Sequence, residues 1–323
     1  MPVSSRRAFL ARSAAAGAAA AGFGMRRASA QSSLTLNIAA IPSDIAGSAY
    51  YAADNGFFKK AGLEAQFLGI ANGAAIAAAV LGGSADIGYS NVISLATAHA
   101  KGLPTTILFP ANLHVHEAPT AGLLSVLKTS PIMGAKDFAG KVMAVSGLNN
   151  IADLASRLWI DKNGGDSKTV KSVELPFSEM KAAVEAGRID AAVCDTTSDA
   201  TLGKPGDTLR LIASTFDAVS PHFAPSVWFS TTDWVSKHPA QAKAFIAGMR
   251  ESAIWAATHH RESAVILSKY THVTPEQING FTRTTYGDHL TPELIQPNID
   301  VAVKYGVLKA SFPVSEMISN VAG

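Results

Sequence analysis

Gly83-Ser84-Ala85-Asp86-Ile87-Gly88 and Gly187-Arg188-Ile189-Asp190-Ala191-Ala192 are the same phrase written twice in one chain. In each, a glycine stops an apolar helical stretch and a short turn delivers an aspartate. A run of small and aliphatic residues then reads as a buried strand. The stretches before the two glycines, Ala74 to Leu81 and Ser178 to Ala186, both carry helical spacing, and the strands after them are Asp86 to Tyr89 and Ala191 to Cys194. A helix–turn–strand unit that recurs in this way points to a duplicated α/β architecture.

Working outward, the surroundings repeat as well. Leu34 to Ala39 alternates as a strand should, Pro42-Ser43-Asp44 ends it, and Ala46 to Lys60 places Ala46, Ala49, Tyr50, Ala53 and Phe57 on one helical face. Glu64 to Leu68 is the next strand, and Thr105 to Phe109 follows a helix that Gly102 stops. In the second half Val142 to Val145 is a strand, Ile151 to Asn163 a helix stopped by Gly164-Gly165, and Val170 to Leu175 a further strand. Strands alternating with helices imply parallel sheets with right-handed crossovers, and the duplication implies two of them. The expected fold class is therefore two α/β lobes, lobe 1 from residues 31–122 and 226–323 and lobe 2 from residues 123–225. Thr120 to Lys128 is expected to cross between them and Ser226 to Ser230 to return, making a hinge. From Asp233 onward the chain reads as helices packed on lobe 1, and Pro313 to Ile318 as a docking segment.

The first 30 residues read differently. Ser5-Arg6-Arg7-Ala8-Phe9-Leu10, an uncharged Ala/Gly stretch from Ser13 to Met25 and Ala28-Ser29-Ala30 have the layout of a cleavable export signal of the twin-arginine type. The stretch is too short and too poor in Leu and Ile to span about 30 Å of hydrocarbon. Of the 27 basic residues five lie in this segment and none of the 25 acidic ones do, so cleavage after Ala30 changes the formal charge from +2 to −3. A mildly acidic mature chain without a basic stripe is a poor partner for nucleic acid or an anionic membrane surface. The single cysteine, Cys194, excludes an internal disulfide. The expectation is a free, monomeric, soluble periplasmic protein stabilised by packing alone.

Ligands of open α/β sheets bind outside the carboxyl ends of the strands, where helix N-termini offer unpaired N–H groups. Six loops meet that condition: Pro42 to Gly47, Ile70 to Gly73, Tyr89 to Asn91, Ser146 to Asn150, Pro176 to Ser178 and Asp195 to Thr197. None contains Lys or Arg. Their residues supply neutral donors and acceptors with an occasional aromatic face, and the ligand-binding candidates are Ser43, Asp44, Tyr89, Ser90, Asn91, Ser146, Gly147, Asn149, Asn150, Phe177, Asp195 and Thr196. His222, just before the return crossing, is a further candidate. Against these stand plainer roles: Ser43, Asp44, Ser90 and Asn91 are residue types that cap helices, and Phe177 is of a type that fills cores. Asp195 occupies the place of Asn91 in the repeat, which suggests matching contacts from opposite lobes.

Catalytic and metal-binding readings are weaker. His114-Val115-His116 puts two imidazoles on one face of a strand beside Glu117, but no third or fourth ligand is identifiable, so hinge structure is the simpler reading. Cys194 falls at a strand end where packing is the default, and His259-His260 on a solvated helix face. No phosphate-binding loop, GxSxG or HExxH pattern is present, and no cofactor is expected.

Asp54-Asn55-Gly56-Phe57-Phe58-Lys59-Lys60-Ala61-Gly62-Leu63, the turn from Gly83 to Asp86 and the stretch from Asp137 to Val145 resemble the family that includes nitrate, sulfonate and taurine receptors and thiamine-pyrimidine receptors. The resemblance covers nearly all of the mature chain. It implies a periplasmic-binding-protein fold of the second type, closing on its ligand, and the permease and ATPase subunits of an ABC importer as partners. Two alternatives stand beside it. One is an enzyme of pyrimidine-precursor type on the same fold, which uses a cysteine-rich stretch and is opposed by the single cysteine here; the other is a receptor that senses solute for a membrane signalling partner. Without an arginine clamp an organic sulfonate, carboxylate or pyrimidine-like molecule suits the loops better than a small inorganic anion such as nitrate.

Overall fold

The structure is a computed structural model that describes residues 34–197 and 206–322. The export signal and its cleavage site lie outside the described residues. No helix among those described is long and apolar enough to cross a membrane.

The first half alternates as its sequence pattern requires: β1 (Leu34–Ala40), α1 (Gly47–Asp54), α2 (Phe57–Lys60), β2 (Leu63–Gly69), α3 (Gly73–Leu81), β3 (Ile87–Asn91), α4 (Val92–Ala100) and β4 (Thr105–Val115). The second half follows with β5 (Ala121–Leu127), β6 (Val142–Val145), α5 (Ile151–Lys162), β7 (Lys171–Glu174), α6 (Phe177–Glu185), β8 (Ala191–Asp195) and β9 (Leu209–Ser214). The chain then returns through β10 (His222–Thr231) and ends in α7 (Thr232–Lys237), α8 (Pro239–Ala256), α9 (His260–Thr271), α10 (Pro275–Asn279) and α11 (Pro292–Lys304). The single helix expected from Ala46 to Lys60 is two, because Gly56 turns left-handed at φ 76° and restarts the backbone.

Two five-stranded sheets result, ordered β2-β1-β3-β10-β4 and β7-β6-β8-β5-β9. They are mixed where wholly parallel sheets were expected. β10 runs antiparallel to β3 and β4, and β5 antiparallel to β8 and β9. The reason is the same in both: each of these strands comes from the other half and enters its sheet from the opposite end. Between β4 and β5 the chain crosses over residues 116–120, and between β9 and β10 over residues 215–221. Both crossings come earlier than the runs expected for them: Thr120 to Lys128 is mostly β5, and Ser226 to Ser230 lies inside β10. The strand β9 was not expected at all; it is an edge strand with Leu211 exposed, and such a strand has no clean apolar alternation to announce it.

The repeated phrase explains itself in three dimensions. Gly83 and Gly187 both adopt positive φ, 75° and 66°, ending α3 and α6. The aspartates then clasp the neighbouring strand. Asp86 takes the Asn37 N–H on its carboxylate at 2.8 Å and donates its own N–H to the Asn37 carbonyl at 2.8 Å, while Asp190 does the same with Val142 at 2.8 and 2.9 Å. Each phrase therefore fixes the register of β1 with β3 or of β6 with β8.

The first sheet is buried on both faces by aromatic and aliphatic side chains, with Trp228, Phe229, Phe109 and Phe245 inaccessible. The C-terminal helices cover it: α8 packs on α1 and α2, α9 on α1, and α11 on β10 and α4. β4 is the sheet's edge strand and carries Pro110, whose missing N–H an edge tolerates. The tail covers that edge, Ile107 donating to the Met317 carbonyl and accepting from the Ser319 N–H.

Candidate functional site

Three helices begin at one cavity, and each is capped by an asparagine that lines it. Asn72 caps α3 by accepting from the Ala75 N–H, Asn91 caps α4 by accepting from Ser94, and Asn150 caps α5 by accepting from Asp153. These caps follow from strand–loop–helix order, since asparagine tolerates the extended backbone of the cap and its carbonyl reaches the third N–H of the helix. The positive ends of α3 and α4 from one sheet and α5 from the other converge on the same space.

The cavity wall alternates amides and hydroxyls with apolar side chains. Tyr89, Asn112 and Ser226 come from the first sheet, Ser146 and Cys194 from the second, and Ile41, Phe177 and Phe216 complete the wall. Among the described residues no charged side chain lines it. The cavity volume is about 50 Å³. A wider recess of about 340 Å³ adjoins it, sharing Ile41, Ala71 and Phe177 and adding Ser43, Asp195 and Thr197.

Across this recess the two halves touch. Ser43 donates to the Asp195 carboxylate and lies 3.3 Å from the Thr197 hydroxyl, which accepts the Asp44 N–H at 2.9 Å. Asn72 reaches Glu174 at 3.4 Å, and elsewhere the Tyr305 hydroxyl donates to Asp161 at 2.6 Å.

The sequence-derived candidates divide accordingly. Tyr89, Asn91, Ser146, Asn150 and Phe177 line the cavity, and Ser43 and Asp195 its recess. Asp44 does not, because its carboxylate is turned inward onto Arg283, Tyr51, Tyr286 and the Thr284 N–H. Ser90 lies behind the wall, donating to the Gly73 carbonyl. Gly147 is packed against the Asn150 side chain, and Asn149 holds a positive φ of 58° while its N–H donates to Asp153. Thr196 is buried, its N–H on the Thr120 carbonyl, and does not line either space. His222 is exposed at the start of β10, away from the cavity.

Burial raises the Asp44 carboxyl, but the charge and hydrogen bonds of Arg283, with the Thr284 N–H and Tyr286, outweigh it and hold the group below its ordinary value. His114 and His116 meet the same oxygen of Asp217, at 2.8 and 3.0 Å, so they tie the end of β4 to the second crossing. Burial lowers His114 against the pull of Asp217, whereas the hydrogen bond to Asp217 raises exposed His116. Among the described residues no three His, Cys, Asp or Glu side chains are placed to hold a metal ion.

Sequence reasoning missed Asn72, Asn112, Ser226 and Arg283. Asn112 had one signal, a lone amide inside the apolar run Leu108 to Leu113. Arg283 had none, since its partner lies 239 residues away.

Two mixed sheets of this order, linked by two crossings with a cavity between them, define a periplasmic-binding-protein fold of the second type. The chain belongs to the NMT1/THI5 like family, whose model matches residues 44–263. No curated protein matches the sequence. Among solved structures it is similar to the periplasmic aliphatic sulphonate binding protein SsuA from Escherichia coli, with a TM-score of 0.70 and 16% identity over 88% of this chain and 92% of that one. It is also similar to the periplasmic nitrate-binding protein NrtA from Synechocystis PCC 6803, with a TM-score of 0.74 and 17% identity over 89% of this chain and 86% of that one. DszB in complex with biphenyl-2-sulfinic acid shares the fold at a TM-score of 0.62 and 15% identity, covering 89% of this chain and 96% of that one.

Proposed function

We propose that this chain is an extracytoplasmic solute-binding receptor that captures a small organic molecule between its two halves and delivers it to an ABC importer. The observation that carries the reading is the cavity walled by both sheets, with helix starts and neutral amides from each half facing one space. A ligand there touches both halves only when they meet, so its differential affinity shifts the population toward the closed form. At about 50 Å³ the cavity is small for an organic ligand, so capture needs the adjoining recess of about 340 Å³ or a parting and reclosing of the halves. The sulphonate and nitrate receptors on this fold supply the transport context, and the twin-arginine-type segment supplies export to the periplasm.

A non-enzymatic role is supported by the cavity chemistry. Cys194 lines the wall, yet among the described residues no histidine lines the cavity to activate it as a nucleophile. The test is a thermal-shift screen of the mature protein across sulfonates, carboxylates and carboxamides, followed by small-angle scattering. A ligand at about 100 times its dissociation constant adds about 2.7 kcal/mol, which raises the melting temperature by roughly 5 °C and should lower the radius of gyration. Binding without compaction would refute the closing mechanism; turnover of the bound compound would refute the receptor. Uptake measured in an importer deletion separates transport from sensing.

A further inference from the structure

Asn112 on β4 is the register partner of Ser226 on β10, and Ser226 is in turn the register partner of Asn91 on β3. Directly opposed residues of antiparallel strands project to the same face, so the three form a polar row across the sheet. All three line the cavity. Two of them have partners within the chain: Asn91 caps α4, and the Ser226 hydroxyl accepts from Tyr89 at 2.8 Å.

Asn112 has none. It is 2% exposed, and its carbonyl oxygen is shielded from solvent without a hydrogen-bond partner. Leaving a buried amide oxygen unpaired is unfavourable, and this amide clasps no turn, cap or strand in return. An apolar residue of similar size would pack the same position without that penalty. The feature makes sense where a bound molecule completes the hydrogen bonding.

We infer that Asn112 is a specificity residue and that the cognate ligand presents a hydrogen-bond donor beside an acceptor, as along the edge of a carboxamide or lactam. An asparagine amide turns about its last bond and meets such an edge with its oxygen accepting and its NH2 donating. Sulfonate, nitrate and ionised carboxylate carry acceptors alone and leave the oxygen unpaired. A site that buries an unpaired polar group against the wrong ligand discriminates far more strongly than one that only measures size. The inference rests on the receptor reading and narrows its ligand class.

The test compares benzamide, nicotinamide and caprolactam with benzoate, nicotinate, methanesulfonate and nitrate, by calorimetry on the wild type, Asn112→Leu and Asn112→Ala. The amide and lactam probes should bind, and at least one should lose tenfold or more in affinity in both variants. The melting temperature of unliganded Asn112→Leu should hold or rise, because the unpaired amide is gone. Binding of the acceptor-only probes with equal strength to wild type and variants would overturn the inference and leave the receptor intact. A fall of several degrees in Asn112→Leu with amide affinity unchanged would assign the residue a structural role and also overturn it. Failure of both series to bind the wild type would overturn the inference, while the receptor reading is decided separately by the wider thermal-shift screen.

Discussion

Each half of the molecule seats a buried aspartate at the start of its first helix, Asp44 just before α1 and Asp153 in the first turn of α5, but the two are satisfied in opposite ways. Asp44, wholly buried in the first half, is held by Arg283 at 2.9 and 3.2 Å, by the Thr284 N–H at 2.8 Å and by the Tyr51 and Tyr286 hydroxyls. Asp153, 1% exposed in the second half, is held by Arg157 one turn along the same helix, by the Ser172 hydroxyl and by the Asn149 N–H. One loop is anchored by the far end of the chain and the other by its own neighbourhood. The first half therefore depends on the docking of its C-terminal segment, whereas the second can form its loop from local contacts.

The largest effect should follow from breaking the distant anchor. Asp44→Asn or Arg283→Met leaves one charge buried without its partner, which costs about 3–5 kcal/mol. Asp153→Asn should cost about 1–3 kcal/mol, because Arg157 is partly exposed and water can screen what is left. Urea denaturation of the variants measures the difference, and equal losses at Asp44 and Asp153 would end the distinction between distant and local anchoring. Acid gives a second handle. Since the folded Asp44 carboxyl lies below its ordinary value of 3.8, its contribution is complete above that pH and is lost as pH falls through the lower folded value. Asp44→Asn should remove that part of the acid sensitivity.

A smaller and equal effect is expected where the halves agree. Asp86→Ala and Asp190→Ala each remove a carboxylate bond to a strand N–H, together with a weaker contact to the Asn37 side-chain amide at 3.4 Å or to Lys141 at 3.5 Å, at about 1–3 kcal/mol. Because the geometry is the same to 0.1 Å, the two losses should match within about 0.5 kcal/mol, and the double variant should be additive. Denaturation midpoints that differ by much more would show that the repeat is alike in sequence alone.

The repeat was legible for a physical reason: a glycine with positive φ and a turn aspartate are local devices, and local devices leave a mark in local sequence. The same logic selected Asn150, Asn91 and Tyr89, which the fold brings to the cavity wall, since loops after strand ends are recognisable from the strand pattern. Asp44 was misplaced because a capping aspartate and an aspartate paired with Arg283 look identical until the last helices are docked. Asn72 was within a loop that the strand rule had selected but went unnamed, and Asn112 lay inside a strand, where that rule does not look. The antiparallel strands β5 and β10 were also beyond local reading, because their direction depends on the chain having crossed from one half to the other.

The smallest effect on stability should come from the contact where the halves meet. Ser43 donates to Asp195 across the recess, and that bond exists only while the halves are together. Ser43→Ala removes it while leaving the Thr197 to Asp44 contact in place. A net loss of about 1 kcal/mol falls on the closed form alone, which lowers its population relative to the open form about fivefold. The midpoint of global denaturation should hardly move, because the core of each half is untouched. Two observables should change: the unliganded radius of gyration should rise, and the affinity for any ligand that requires closure should fall by up to about fivefold, through the fraction of molecules already competent to bind. The alternative is that Ser43 acts only as the cap of the short turn at Asp44–Ala46, where it accepts the Ile45 N–H at 3.4 Å. In that case melting would fall by about 0.5–2 kcal/mol while scattering and affinity stayed as they are. That result would leave the two halves alike at their strand starts and unconnected at Ser43.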